Sequence, residues 1–177
     1  MELLDIYDDN GNVTGRTIVR GDKSIILNEH EHIALSVIFI ENSNGEFLIQ
    51  KSSIQKGGEF TSTGGHVNSG ETPLIAIKRE VKEELGINID EDDIEEYGFL
   101  SYDKPLRYIF YLKKDVELTN IKVQTEEVEY AKYMSIAEIN ELIATNKMLK
   151  SHAIIFNEML KRRIHNKLNM IEYIKIR

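Results

Sequence analysis

The chain has 177 residues, 41% apolar and 29% charged, the proportions of a globular protein large enough to build its own core, with one domain as the default. It has no cysteine, which excludes disulfides, thiolate zinc sites and a cysteine nucleophile and fits a reducing cytoplasm. A net charge of −8 argues against a duplex nucleic-acid binder, which works by neutralising phosphates. It leaves a small polyphosphate open as a ligand, because bound metal reverses the local field.

Taken in order, the chain gives alternating strand and helix signals. Met1–Asp5 lacks the basic and apolar regions of a leader peptide, and no apolar run is long enough to span a membrane. Leu3–Tyr7 and Val13–Val19 can pair as a hairpin through Asn10-Gly11. This extension, residues 1–31, is expected to cover a sheet edge or a dimer surface. His32–Ile40 is nearly continuous apolar sequence and reads as a central strand buried on both faces. Glu46–Lys51 is its return strand after Asn42–Gly45. Phe60–Thr63 is a short strand that feeds Gly64-Gly65, a pair suited to close backbone approach or positive φ.

Residues 64–87 carry the strongest pattern. Thr72 is suited to an N-cap, Pro73 to the first helical position and Gly86 to a left-handed C-terminal residue, so a helix is expected from Pro73 to Leu85. Leu74, Ile77, Val81 and Leu85 form its apolar stripe. Glu80, Glu83 and Glu84 share another face, with Ala76 one turn earlier. Like charges at this spacing repel, and Lys78 and Lys82 lie elsewhere on the helix. Three carboxylates without a partner call for a cation, and oxygen-only ligation favours Mg²⁺ or Mn²⁺.

After this segment, Ile94–Tyr102 and Leu106–Leu112 read as strands pairing around Asp103–Pro105, and Val128–Met134 as a half-buried strand. Ser135 with Glu138 forms a capping box for a helix to about Ala144, and a second helix is expected from Ser151 to near Ile164. In the tail, Lys161–Arg177, a basic helix end is expected to face the acidic body, and Ile171–Ile176 could add a strand. The order of elements predicts an α/β sheet sandwiched between helices.

The spacing of residues 64–87 is Gly65, five residues, Glu71, seven residues, Arg79-Glu80-Val81, one residue, Glu83-Glu84, one residue, Gly86-Ile87. It resembles the signature box of the Nudix hydrolases at every specified position. The resemblance implies an α/β/α sandwich around a central mixed sheet over 1–177, with residues 135–177 as C-terminal helices and tail. It also implies metal-dependent attack of water on a phosphorus of a nucleoside diphosphate derivative, breaking a phosphoanhydride. It places metal ligation on Glu83 and Glu84, with Glu80 as a ligand or the base and the Gly65 carbonyl as a further ligand. Arg79 would orient Glu71 or Glu83. Glu127, before Val128, is similar to a glutamate that reaches the metal in the isopentenyl-diphosphate isomerase branch and is a candidate ligand or base. The N-terminal extension also resembles that branch, and His32 and His66 align with two of its metal-binding histidines. The catalytic cysteine of the branch would fall at Gly64, so isomerase activity is disfavoured; a silent nucleotide-binding module is the remaining alternative.

Substrate selection is expected from residues 14–31, 52–60, 101–108 and 115–126. Gly64, His66, Arg107 and Tyr108 are candidate substrate contacts, since an arginine and an aromatic ring can grip a phosphate or stack on a base. A homodimer is an open possibility implied by the family.

Overall fold

The computed structural model describes residues 2–22 and 24–175, with side chains through Asn166. In chain order the strands are Leu3–Tyr7 (β1), Val13–Val19 (β2), Ala34–Glu41 (β3), Phe47–Ser52 (β4), Phe60–Thr61 (β5), Thr63–His66 (β6), Ile94–Ser101 (β7), Leu106–Lys113 (β8) and Val128–Met134 (β9). The helices are Pro73–Leu85 (α1), Ile136–Ala144 (α2) and Lys150–Lys175 (α3).

Two-residue periodicity in the central strands sets the layers. In β3, Ile38 and Ile40 belong to one core and Val37 and Phe39 to the other. In β8, Phe110 and Leu112 go one way, Ile109 and Tyr111 the other. A strand apolar on both faces must be covered on both faces. One cover is α1, through Ala76, Ile77, Val81 and Leu85. The other is α2 and α3, through Ile139, Leu142, Ile155, Phe156 and Met159. The sheet order is β5-β4-β3-β8-β7, with β6 also on β3 and β9 also on β4. β3 and β8 run parallel and the other pairs antiparallel, which makes the sheet mixed. The expected three-layer sandwich is the one observed.

α1 has the expected limits. The Thr72 hydroxyl accepts from the Ile75 N–H at 3.2 Å, and Gly86, at φ 72°, donates its N–H to the Lys82 carbonyl. The expected apolar stripe is the one that packs: Ile77, Val81 and Leu85 are fully buried in one core, Leu74 lies partly buried against it, and Ala76 joins them. Glu80, one turn on from Ala76, lies against Gly65 of β6. α2 carries the expected capping box.

α3 differs from expectation. It continues through Lys175, so the strand considered at 171–176 does not form in residues 171–175, and Ile176 lies outside the described residues. Two basic residues do turn to the body. Arg162 donates to the carbonyls of Tyr97 (2.6 Å) and Phe99 (3.2 Å), freed where β7 bulges between Glu96 and Phe99. Arg163 pairs with Glu41 at 2.6 Å and lies over the Tyr111 ring.

The hairpin β1–β2 forms its own two-stranded sheet, inner strand buried and outer strand exposed. It clasps the loop ahead of α1. The Asp5 carboxylate accepts from the Ser69 hydroxyl (2.7 Å) and the Gly70 N–H (2.9 Å), and the Ser69 N–H donates to the Leu3 carbonyl. No helix among the described residues is long and apolar enough to cross a membrane.

Candidate active site

The site grows from the crossing of α1 over β6. β6 lies antiparallel on β3, with Gly64 opposite Val37 and Gly65 opposite Ser36. A β-carbon on Gly64 would come within 2.5 Å of the Ser36 carbonyl oxygen, and one on Gly65 within 2.2 Å of a Glu80 carboxylate oxygen. Neither glycine has positive φ. The pair is therefore required by close approach, of strand to strand at Gly64 and of carboxylate to backbone at Gly65.

Arg79 organises the carboxylates. Its Nε and Nη2 donate to the two oxygens of Glu71 at 2.8 and 2.9 Å, a bidentate fork. Nη1 donates to Glu80 at 2.7 Å and to Glu83 at 3.1 Å, and Nη2 also reaches the His66 carbonyl. Both partners expected for Arg79 are present, and Glu80 is a third. The fork holds the Glu71 carboxyl below its usual range and pushes the guanidinium up. The acidic face is thus not without a partner, as its pattern suggested: Arg79, off that face, reaches across it and offsets its repulsion.

Glu84 points away from Arg79 and accepts from the Gln50 amide at 3.0 Å; the same amide group donates to Thr63 at 2.6 Å. Burial pushes the Glu84 carboxyl up to about 8, against the lowering effect of that hydrogen bond, and Glu80 adds to the rise. Burial also raises Glu80. Held this way, no three histidine or acidic side chains among the described residues meet at one point.

One polar cavity of about 170 Å³ is bordered by Gly65, Arg79, Glu80, Glu83, Glu84 and Glu127. Glu127 enters from the turn before β9, where it pairs with Lys56 at 2.7 Å. Four of the bordering carboxylates, Glu80, Glu83, Glu84 and Glu127, lie here beside the Gly65 main chain, with Glu84 held only by the Gln50 amide and the Gly64 main chain, and oxygen donors of this kind suit a hard divalent cation. Gly64 and His66 border the same cavity. The His66 ring is held down to about 4, first by burial and then by Arg20.

Arg107 and Tyr108 border neither this cavity nor its neighbour. Arg107 turns to the Tyr102 and Pro105 carbonyls, and Tyr108 packs on Phe99 and donates to the Gly11 carbonyl at 3.3 Å. His32 is also elsewhere: its ring nitrogens engage Asp9 and the Lys104 carbonyl. It therefore does not join His66 and Glu127 in a second metal centre.

The structure adds residues that no local pattern marks. Arg20, at the end of the hairpin, borders the cavity and pairs with Glu2 at 2.6 Å. Gln50, followed in β4 by the polar Lys51 and Ser52, and His152, one turn before Phe156, carry no sequence signal that sets them apart from their neighbours.

The NUDIX domain family model matches residues 30–155. An uncharacterised Nudix hydrolase of Listeria monocytogenes is 31% identical over 153 residues, covering 84% of this chain and 89% of its own. A Nudix hydrolase of Deinococcus radiodurans is 34% identical over 93 residues, covering 50% of this chain and 52% of its own. A crystal structure from Deinococcus radiodurans superposes with a TM-score of 0.73 at 21% identity, covering 88% of this chain and 98% of its own, a likeness of fold. With the box intact and Gly65, Arg79, Glu80, Glu83 and Glu84 of it around one cavity, the chain belongs to the Nudix family and is a hydrolase of pyrophosphate bonds.

Proposed function

We propose that residues 1–177 act as one divalent-metal-dependent unit that splits the phosphoanhydride of a nucleoside diphosphate derivative or nucleotide by water attack on phosphorus. The observation that supports it most is the half-buried Glu84, facing a cavity with Glu80, Glu83 and Glu127 and held there by two neutral donors, the Gln50 amide and the Gly64 main chain, with no cation paired to it. Glu83, Glu84, Glu80 and the Gly65 carbonyl would hold Mg²⁺ or Mn²⁺. When bound, the metal neutralises the diphosphate oxygens and makes water easier to deprotonate. Arg79 holds Glu71, Glu80 and Glu83 in place through its fork. Glu80 or Glu127 takes the proton from the attacking water. Arg20 and the main chain at Gly64 and His66 contact the diphosphate from the side opposite α1.

Isomerase chemistry is disfavoured on structural grounds as well. A cysteine at position 64 would drive its β-carbon against the Ser36 carbonyl, and His32 is engaged elsewhere. The test is a screen with Mg²⁺ and Mn²⁺ over nucleotide sugars, NADH, ADP-ribose, dinucleoside polyphosphates, nucleoside triphosphates, CDP-alcohols and isopentenyl diphosphate. The expected result is metal-dependent release of a phosphate-containing product, lost in Glu83→Gln and Glu84→Gln. Tight binding without turnover, or rearrangement of isopentenyl diphosphate alone, would contradict the proposal.

A further inference from the structure

Beside the metal-site cavity lies a second one of about 280 Å³, continuous with it through Gly64, Gly65, His66, Glu84 and Glu127. Its far wall is Gln50, Lys56, Thr61, Ser62, Leu149 and His152. Its volume falls near the lower end for a small-molecule site, room for a single modest group. Apart from histidines, no aromatic side chain lines it among the described residues, so a planar base would find nothing to stack on.

His152 stands out in that wall. The Ser62 backbone N–H lies 3.1 Å from His152 Nδ1, and a backbone N–H can only donate. Nδ1 is therefore an acceptor, and it also receives the Ser62 hydroxyl at 2.9 Å. Burial holds the ring down to about 4, so at neutral pH it carries one proton, on Nε2. Nε2 has no hydrogen-bond partner among the described residues, yet no sealed polar atom of the described side chains lacks one, so Nε2 is accessible. The ring is thus fixed as a donor with its N–H unused by the protein.

We propose that His152 is a specificity-determining residue whose Nε2–H donates to an oxygen of the oxygen-rich, non-aromatic group attached to one end of the diphosphate. The inference rests on the diphosphate reading above. Thr61 and Lys56 offer further donors around the same group.

The test is calorimetric binding, in magnesium, of non-hydrolysable methylene-bridged analogues of UDP-glucose and of UDP to the full chain. Wild type is expected to bind the sugar-bearing analogue more tightly, and His152→Phe to lose about fivefold of that preference while its affinity for the UDP analogue holds within about twofold. His152→Gln, which keeps a donor, is expected to recover part of the preference. Equal weakening of both analogues by His152→Phe would mark a merely structural role and overturn the proposal. So would the absence of a preference in wild type, or binding of neither analogue. Long-range ¹H–¹⁵N spectra of wild type give a readout independent of variant folding: an Nε2–H tautomer shifted by the UDP-glucose analogue and not by the UDP analogue is expected, and an Nδ1–H tautomer would refute it. These readouts need no turnover, so they fail or succeed separately from the hydrolase screen.

Discussion

Replacing Arg79 by lysine should unfasten the site without removing its positive charge. The guanidinium makes two parallel bonds to Glu71, single bonds to Glu80 and Glu83, and one to the His66 carbonyl. Glu83 is half exposed and its bond is screened by solvent, so it contributes little. The Glu71 fork and the Glu80 bond are better shielded, and each charge-assisted bond is worth about 1.5–3 kcal/mol. An ammonium can replace one of the three, with poorer geometry. Because these groups are partly exposed, the two lost bonds count at the low end of that range, and the expected cost of Arg79→Lys is about 3 kcal/mol, or a melting point lower by roughly 6–12 °C for a chain of this size. The assay is urea unfolding followed by far-ultraviolet circular dichroism, with Glu71→Gln and the double variant completing a cycle. The reasoning is refuted if Arg79→Lys lies within about 0.5 kcal/mol of wild type, or if the two substitutions are simply additive.

Three further outcomes follow from the same geometry. Gly64→Ala must part β3 from β6, since the new carbon would sit 2.5 Å from the Ser36 oxygen; a loss of about 1–3 kcal/mol is expected by chemical unfolding, and a neutral result would show that the strands yield freely. Burial holds the His152 ring at about 4 against the 6.5 of a free imidazole, so its contribution to stability is complete above 6.5 and is lost as pH falls through 4, by up to about 3 kcal/mol. Between those limits His152→Gln should show a shallower fall in stability than wild type in pH-dependent urea titrations, and parallel curves would contradict it. Arg163→Met removes the partner of Glu41 and the cation over Tyr111, leaving a nearly buried carboxylate with only the Tyr111 hydroxyl; a loss of about 2–4 kcal/mol is expected by thermal unfolding, and an unchanged melting point would show that the Arg163–Glu41 pair adds nothing to the docking of α3.

What could be read from the chain was what is encoded locally. The limits of α1 come from Thr72, Pro73 and Gly86, each acting on its own neighbours, and the two-sided burial of β3 from an unbroken apolar run. The box glutamates were placed by spacing along one helix. What escaped depends on residues distant in sequence. The need for glycine at 64 comes from Ser36 across the sheet, and at 65 from Glu80 on α1. Arg20 reaches the cavity because the hairpin is fastened to the body through Asp5, Leu3 and Tyr7, which bond Ser69, Gly70 and His32. Arg107 and Tyr108 have the chemistry of substrate contacts, but β8 carries them to loop carbonyls and to the hairpin turn. Residues 171–175 were misassigned because a short apolar run fits either period.

The central claim is that the carboxylates where α1 crosses β6 hold a divalent cation, and direct metal binding tests it without reference to any substrate. Titration of the full chain with Mn²⁺, followed by electron paramagnetic resonance of the free ion, should show saturable binding in wild type. Glu84→Gln should weaken it by roughly tenfold or more, since a ligating carboxylate is lost and the amide cannot replace its charge. Equal Mn²⁺ affinity in wild type, Glu83→Gln and Glu84→Gln would contradict the account.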